Sequence, residues 1–139
     1  DTIRTDHIKD GVVTRVKIAD DAVNDAKIDL DNADFKTLSN TSVVSSSYTT
    51  IDSSLTASYR SVHYFVQANE GSDWQSSHVT LMHNGSDAYI MEHGIVSTKS
   101  DGEPFVTFDA SMASNSLNLR AQSSGNGASI NAIKSGLES

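Results

Sequence analysis

Val79-Thr80-Leu81-Met82-His83-Asn84-Gly85-Ser86-Asp87-Ala88-Tyr89-Ile90 is the stretch whose reading decides the fold. Val79 and Leu81 alternate with His78, Thr80 and Met82, the period of two expected of a half-buried strand. Asn84-Gly85 supplies a hairpin turn whose two central positions both tolerate positive φ. Residues 87–96 return as the partner strand, with Ala88, Ile90 and then Ile95 as its apolar set.

The same alternation extends outward. Upstream, Val62, Tyr64, Val66 and Ala68 oppose His63, Phe65 and Gln67, and Glu70-Gly71-Ser72-Asp73 makes a turn. Downstream, Ser100-Asp101-Gly102 is a turn, and Phe105 and Thr107 then oppose Val106 and Phe108. Leu117, Leu119 and Ala121 oppose Asn118, Arg120 and Gln122. A turn at Ser124-Gly125-Asn126-Gly127 leads into Ile130, Ala132 and Ile133. No helical pattern of ten or more residues interrupts these segments. The spacing predicts an all-β, antiparallel β-sandwich of about six to eight strands. Pro104 falls at a strand start, where its missing N–H costs least.

The 139 residues allow one compact domain and an appendage, too short for a barrel enzyme or a two-domain dinucleotide enzyme. Only 37% are hydrophobic, so the core is thin and a partner chain is expected to supplement it. With no cysteine there is neither a disulfide framework nor a thiolate metal site. A formal charge of −8 argues against nucleic acid and against anionic membrane as partners. No apolar run approaches the ~20 residues of a membrane span. Asp1 in place of Met is read as processing or as a piece of a longer chain.

Serine marks an internal boundary. All 23 serines lie at or after Ser39. Residues 1–36 carry six Lys/Arg against nine aspartates, whereas the much longer remainder carries four against nine acids. Three parts follow: a repeat segment over 1–36, a Ser/Thr-rich linker or edge strand over 37–57, and a β-sandwich over 58–139. In the first part apolar residues recur every five positions: Ile3, Ile8, Val13, Ile18, Val23, Ile28, Ala33 and Leu38. On a helix each step of five turns a net ~140°, so no stripe forms. On a strand five is odd, so the faces alternate. A bending chain with one anchor per short turn accommodates the pattern, and several copies wrapped around one axis would bury it. The oligomer interface is therefore assigned to Ile3, Ile8, Val13, Ile18, Val23 and Ile28. Each such anchor contributes about 1.5–3 kcal/mol if fully buried. The competing reading is an amphipathic helix over residues 20–27, opened by Asp20 and Asp21. Lys17 against Asp20 and Asp21 suggests ion pairs between chains, which would set register more than stability.

Chemistry is sparse. The sequence holds no G-x-S-x-G elbow, H-E-x-x-H, Walker loop or G-x-G-x-x-G, and no catalytic residue or cofactor is assigned. His78, His83, Glu92 and His93 surround the Asn84-Gly85 turn and are of metal-ligand type. His78 and His83 fall on opposite strand faces, as do the neighbours Glu92 and His93, so they read as exposed strand histidines and no metal is assigned. Asp29-Leu30-Asp31-Asn32-Ala33-Asp34 starts like a calcium loop but lacks the sixth-position glycine, and Asn40 stands where the bidentate glutamate belongs. Trp74 is expected to fold back over the sandwich edge, or else to stand free as a sugar-stacking surface. Tyr59, Tyr64 and Tyr89 are expected in core or interface.

The repeat Lys17-Ile18-Ala19-Asp20-Asp21-Ala22-Val23-Asn24-Asp25-Ala26-Lys27-Ile28 resembles the K-I-A-D-G-A-V-T-x-A-K-I repeats of tailed-phage fibre and appendage proteins. Asp21 and Asn24 replace the usual glycine and threonine, which Gly11 and Thr14 keep in the preceding unit. Residues 59–67, 79–89, Glu92-His93-Gly94 and Thr107-Phe108-Asp109-Ala110 resemble a C-terminal β-domain of virion structural proteins of marine cyanobacterial myophages. Asn69-Glu70-Gly71-Ser72 departs from the more familiar T-D-G-T turn. The resemblance implies a non-enzymatic virion component: a homotrimeric fibre, appendage or decoration protein in contact with other virion proteins and with host-surface glycan. The rival reading is a glycan-binding module of a bacterial or phage adhesin.

Overall fold

The computed structural model describes residues 35–43 and 47–138, all of them strand, turn or loop. The six interface anchors Ile3 to Ile28 and the Asp29–Asp34 acidic run lie outside the described residues. Eight strands follow in order: β1 (Phe35–Val43), β2 (Thr49–Leu55), β3 (Tyr59–Glu70), β4 (Asp73–His83), β5 (Ala88–Ser97), β6 (Val106–Ala113), β7 (Ser116–Ser123) and β8 (Ala128–Glu138). They build two antiparallel sheets, one of five strands in the order β1-β8-β3-β4-β5 and one of three in the order β2-β7-β6. The all-β sandwich expected from the alternation is the fold observed.

The alternating residues meet between the sheets. Val62, Tyr64, Val66 and Ala68 of β3 and Val79 and Leu81 of β4 are buried with Ile130 and Ala132 of β8. Facing them are Leu117, Leu119 and Ala121 of β7, with Val106 and Ile51. β7 is central in its sheet and contributes most of that side, as a strand paired on both edges should. Residues 35–43 and 49–55, half of them Ser or Thr, form the edge strands β1 and β2. Their partners are distant in sequence: β1 pairs with β8 and β2 with β7.

Three local features depart from the sequence reading. First, the Asn84 turn is a four-residue loop. Gly85 takes φ +105°, but Asn84 is not among the positive-φ residues. Its side-chain Oδ1 instead accepts the N–H groups of Ser86 (2.9 Å) and Asp87 (2.8 Å), closing the loop from the side chain. Second, Phe105 and Val106 are both buried rather than pointing apart. The buried Gln75 side chain accepts both their N–H groups (2.8 and 2.9 Å) and donates to the Val106 carbonyl (2.9 Å), bending the chain into β6. Third, β5 carries a bulge: Gly94 and Ile95 stand opposite the single residue Ser77. Gly94 takes φ +65°, which is why glycine sits there.

Three strands cannot cover five. β5 lies at the edge of the wider sheet and is half-buried or exposed along its whole length, with Ile90, Met91, Ile95 and Val96 open.

Candidate functional site

Strand parity and register give the outer face of the five-stranded sheet its chemistry. Cross-strand rows run Ile133–Phe65–His78–His93, then Ser135–His63–Thr80–Met91, then Leu137–Ser61–Met82–Tyr89. Toward the other end lie Asn131–Gln67–Ser76–Val96 and Ser129–Asn69–Trp74. Phe65, Met82, Tyr89, Met91, Ile133 and Leu137 are all exposed. Across these rows there is no Asp, Glu, Lys or Arg among the described residues, in a chain that is 20% charged. The outer face of the three-stranded sheet is different. There Arg120 Nε donates to Asp109 Oδ1 (2.7 Å), a second guanidinium N–H donates to Oδ2, and the guanidinium lies 5.5 Å over the Tyr48 ring. The Asp109 hydrogen bonds hold the Arg120 pKa above its ordinary value.

Three imidazoles gather on the uncharged face. His78 and His93 stack at 5.3 Å between ring centroids, His63 lies 6.2 and 6.4 Å from them, and Phe65 stacks on His78 at 4.9 Å. The grouping comes from three different strands, so only the register discloses it. Among the described residues no group of three or more His, Cys, Asp or Glu is placed to hold a metal ion.

The histidines of the sequence motif therefore separate. His78 and His93 are exposed, as expected. His83 is not: it is 3% exposed. Its Nδ1 accepts the Gly85 N–H (3.1 Å), leaving Nε2 to donate to the Tyr59 carbonyl (2.7 Å). That residue is a fastener between β3 and the hairpin loop. Glu92 turns to the inner side and accepts a hydrogen bond from Ser77 (2.7 Å). Its pKa is raised, because partial burial disfavours the anion more than Ser77 supports it.

Trp74 does not fold back over the edge. It is 45% exposed at the end of β4, on the same face as Phe65, and is held at its backbone by Thr98 Oγ1 (2.8 Å). A groove of about 290 Å³ opens on this face where β1, β8 and β3 meet, lined by Thr37, Ser39, Phe65, Gln67, Asn131 and Ile133. Tyr59 and Tyr64 are core residues, whereas Tyr89 is exposed.

A polar constellation unforeseen in the sequence lies between the sheets. Lys134 Nζ meets Asp52 Oδ2 at 2.7 Å, and the Tyr64 hydroxyl donates to the same oxygen at 2.7 Å. Burial, reinforced by the nearby Asp52 charge, keeps the Tyr64 phenol protonated far above its usual range. A buried lysine was hidden in the sequence because it occupies the core parity of β8 (Ile130, Ala132, Lys134) that apolar residues otherwise fill.

No protein-family model matches the chain, and no curated protein matches it. Among solved structures, the tailspike protein of Acinetobacter phage vB_ApiP_P1 is similar over the whole of this chain and 26% of its own, at 17% identity and a TM-score of 0.48. The tailspike protein of Acinetobacter baumannii phage AM24 is similar over 78% of this chain and 27% of its own, at 13% identity and a TM-score of 0.35. This chain thus spans about a quarter of the length of either tailspike.

Proposed function

We propose that this chain is a non-enzymatic structural component of a tailed-phage particle, a fibre, appendage or decoration protein that assembles as a homotrimer. Residues 1–36 bring the copies together and join them to other virion proteins, and the sandwich is the knob they carry. The observation that carries the reading is the five-residue recurrence of Ile3, Ile8, Val13, Ile18, Val23 and Ile28 inside K-I-A-D-type repeats. One helix or one strand cannot bury that period, whereas copies around an axis can. The resemblance of those repeats to phage fibre segments supplies the setting, the extracellular virion. Host contact by three knobs would gain from avidity, since three weak sites on one axis bind together. The test is the double substitution Ile18→Asp with Ile28→Asp. It is expected to leave the sandwich folded by circular dichroism and to reduce the particle mass to that of one chain. An unchanged oligomer mass would sink the repeat segment as the assembly device.

A second reading is a glycan-binding module, favoured by one observation. Trp74 and Phe65 stand open on the same face, and the Gln67 amide lies between them along that face of β3, opposite Ser76. Stacking of sugar rings with amide hydrogen bonds is the chemistry such a face offers. Binding on a glycan array that disappears with Trp74→Ala would support this module. Absence of binding at millimolar sugar would count against it.

A further inference from the structure

We propose that the outer face of the five-stranded sheet is a contact surface for a second copy of this chain, so that the knobs touch one another as well as the repeat segments. The proposal rests on the assembly reading above in taking another copy as the occupant, and it adds where on the sandwich the copies meet.

Composition carries the first part of the argument. The core of a protein–protein interface is depleted of charge and enriched in aromatic residues and methionine. This face offers Phe65, Trp74, Tyr89, Met82 and Met91 with Ile133, and no formal charge among the described residues of its rows. The three-stranded sheet, exposed in the same solvent, carries the Asp109–Arg120 pair on its outer face. The difference is therefore particular to one face and not a general paucity of charge.

Electrostatics selects the occupant. Each copy has a formal charge of −8. Two such copies repel wherever their acidic surfaces approach, and a face without carboxylates is the place where they can come into contact at least cost. The repeat segment of the same chain is a poor occupant. Residues 1–36 hold fifteen charged side chains, which would have to be desolvated against a surface offering no counter-ion.

Size agrees. Five strands about 4.8 Å apart and about ten residues long make a face on the order of 800 Å², the area each partner contributes to a standard stable interface. Sugar-binding platforms need an aromatic residue or two with hydrogen-bonding neighbours. The additional Met82, Met91, Ile133 and Leu137 have no use for a sugar and are what a contact with neighbouring copies around an axis requires. The open edge of β5, with Ile95 and Val96 exposed, continues the apolar surface beyond the rows.

The absence of cysteine makes the test clean. His63 is central on the face and exposed in a single copy. Protection of a thiol placed there reports a surface packed over the face. The His63→Cys variant of the 139-residue chain is compared with Thr50→Cys, whose position on β2 is also exposed. Both are reacted with a bulky maleimide at 100 µM chain, and the mass is read by light scattering in the same samples. The expected result is an oligomer in which the His63→Cys thiol reacts at least tenfold more slowly than the Thr50→Cys thiol. Adding Phe65→Lys to the first variant should abolish the difference. An oligomer in which the two thiols react equally fast overturns the face and leaves the assembly reading standing. Protection at His63→Cys that survives Ile18→Asp with Ile28→Asp in a particle still larger than one chain upholds the face and overturns the repeat segment as the sole assembly device. A single-chain mass with protection that appears only on adding bacterial surface polysaccharide overturns the second copy as occupant and assigns the face to glycan.

Discussion

Lys134→Met is the substitution that tests most sharply how the two sheets are held together. Lys134 lies on β8 and Asp52 on β2, and their side chains are 5% and 4% exposed. At an effective dielectric near 20, unit charges 3–4 Å apart attract by about 4–5 kcal/mol. That attraction offsets the desolvation of both ions, so the intact pair adds little net stability. Removing one partner is another matter. With Met at 134, the Asp52 carboxylate stays between the sheets without its cation, and breaking a buried pair in this way costs about 3–5 kcal/mol. For a domain near 100 residues, at roughly 4–8 °C per kcal/mol, the melting temperature should fall by at least about 12 °C. Adding Asp52→Asn should recover part of the loss. The amide removes the stranded charge and its Oδ1 still accepts the Tyr64 hydroxyl, whose present bond is 2.7 Å. The assay is thermal and urea unfolding of the full chain at one protein concentration, since assembly couples stability to concentration. A loss under about 1 kcal/mol for Lys134→Met, or a double variant less stable than the single one, would refute the reasoning.

Two further outcomes are expected. Gly136→Ala should cost roughly 1–3 kcal/mol by overpacking, because a Cβ there would lie 2.4 Å from Tyr59 Cδ1, and Tyr59 is a buried ring that cannot swing aside. In a Tyr59→Ala background the same change should cost little, which urea titration of the four variants would read as non-additivity. Glu92 binds its proton more tightly in the folded chain than in the unfolded one, so it erodes stability as pH rises from the ordinary carboxylate range through its raised folded value. Glu92→Gln should therefore be at least as stable as the parent at pH 7, with the advantage gone below pH 4; melting curves across pH that show the reverse order would count against it.

Much of the sandwich was legible because its central strands obey a strict period of two. Val62 to Ala68 and Val79 to Leu81 read as one face in the sequence and are one face in the structure. β1 and β2 were harder to see, since Ser and Thr carry little hydrophobic signal and their ladders are made with β8 and β7, roughly 60 to 100 residues away. His83 reads as exposed because its imidazole is polar and the Asn84 loop follows it, yet it holds the core parity of Val79 and Leu81, and the Tyr59 carbonyl and Gly85 N–H satisfy its ring where it is buried. The grouping of His63, His78 and His93 depends on the β3–β4–β5 register, including the bulge at Gly94, and no sequence spacing announces it. The uncharged outer face has the same origin. It consists of every second residue of its strands, so the few charges they carry, such as Glu92 and Lys134, fall on the inner parity.

The central claim is assembly, and the mass of the full 139-residue chain in solution tests it most directly. One chain is 14.9 kDa. Light scattering across a dilution series from micromolar upward should return three times that mass, about 45 kDa, with no smaller species at the upper concentrations. A mass of one chain throughout would contradict the account and leave the repeats at the N-terminus without the role assigned to them.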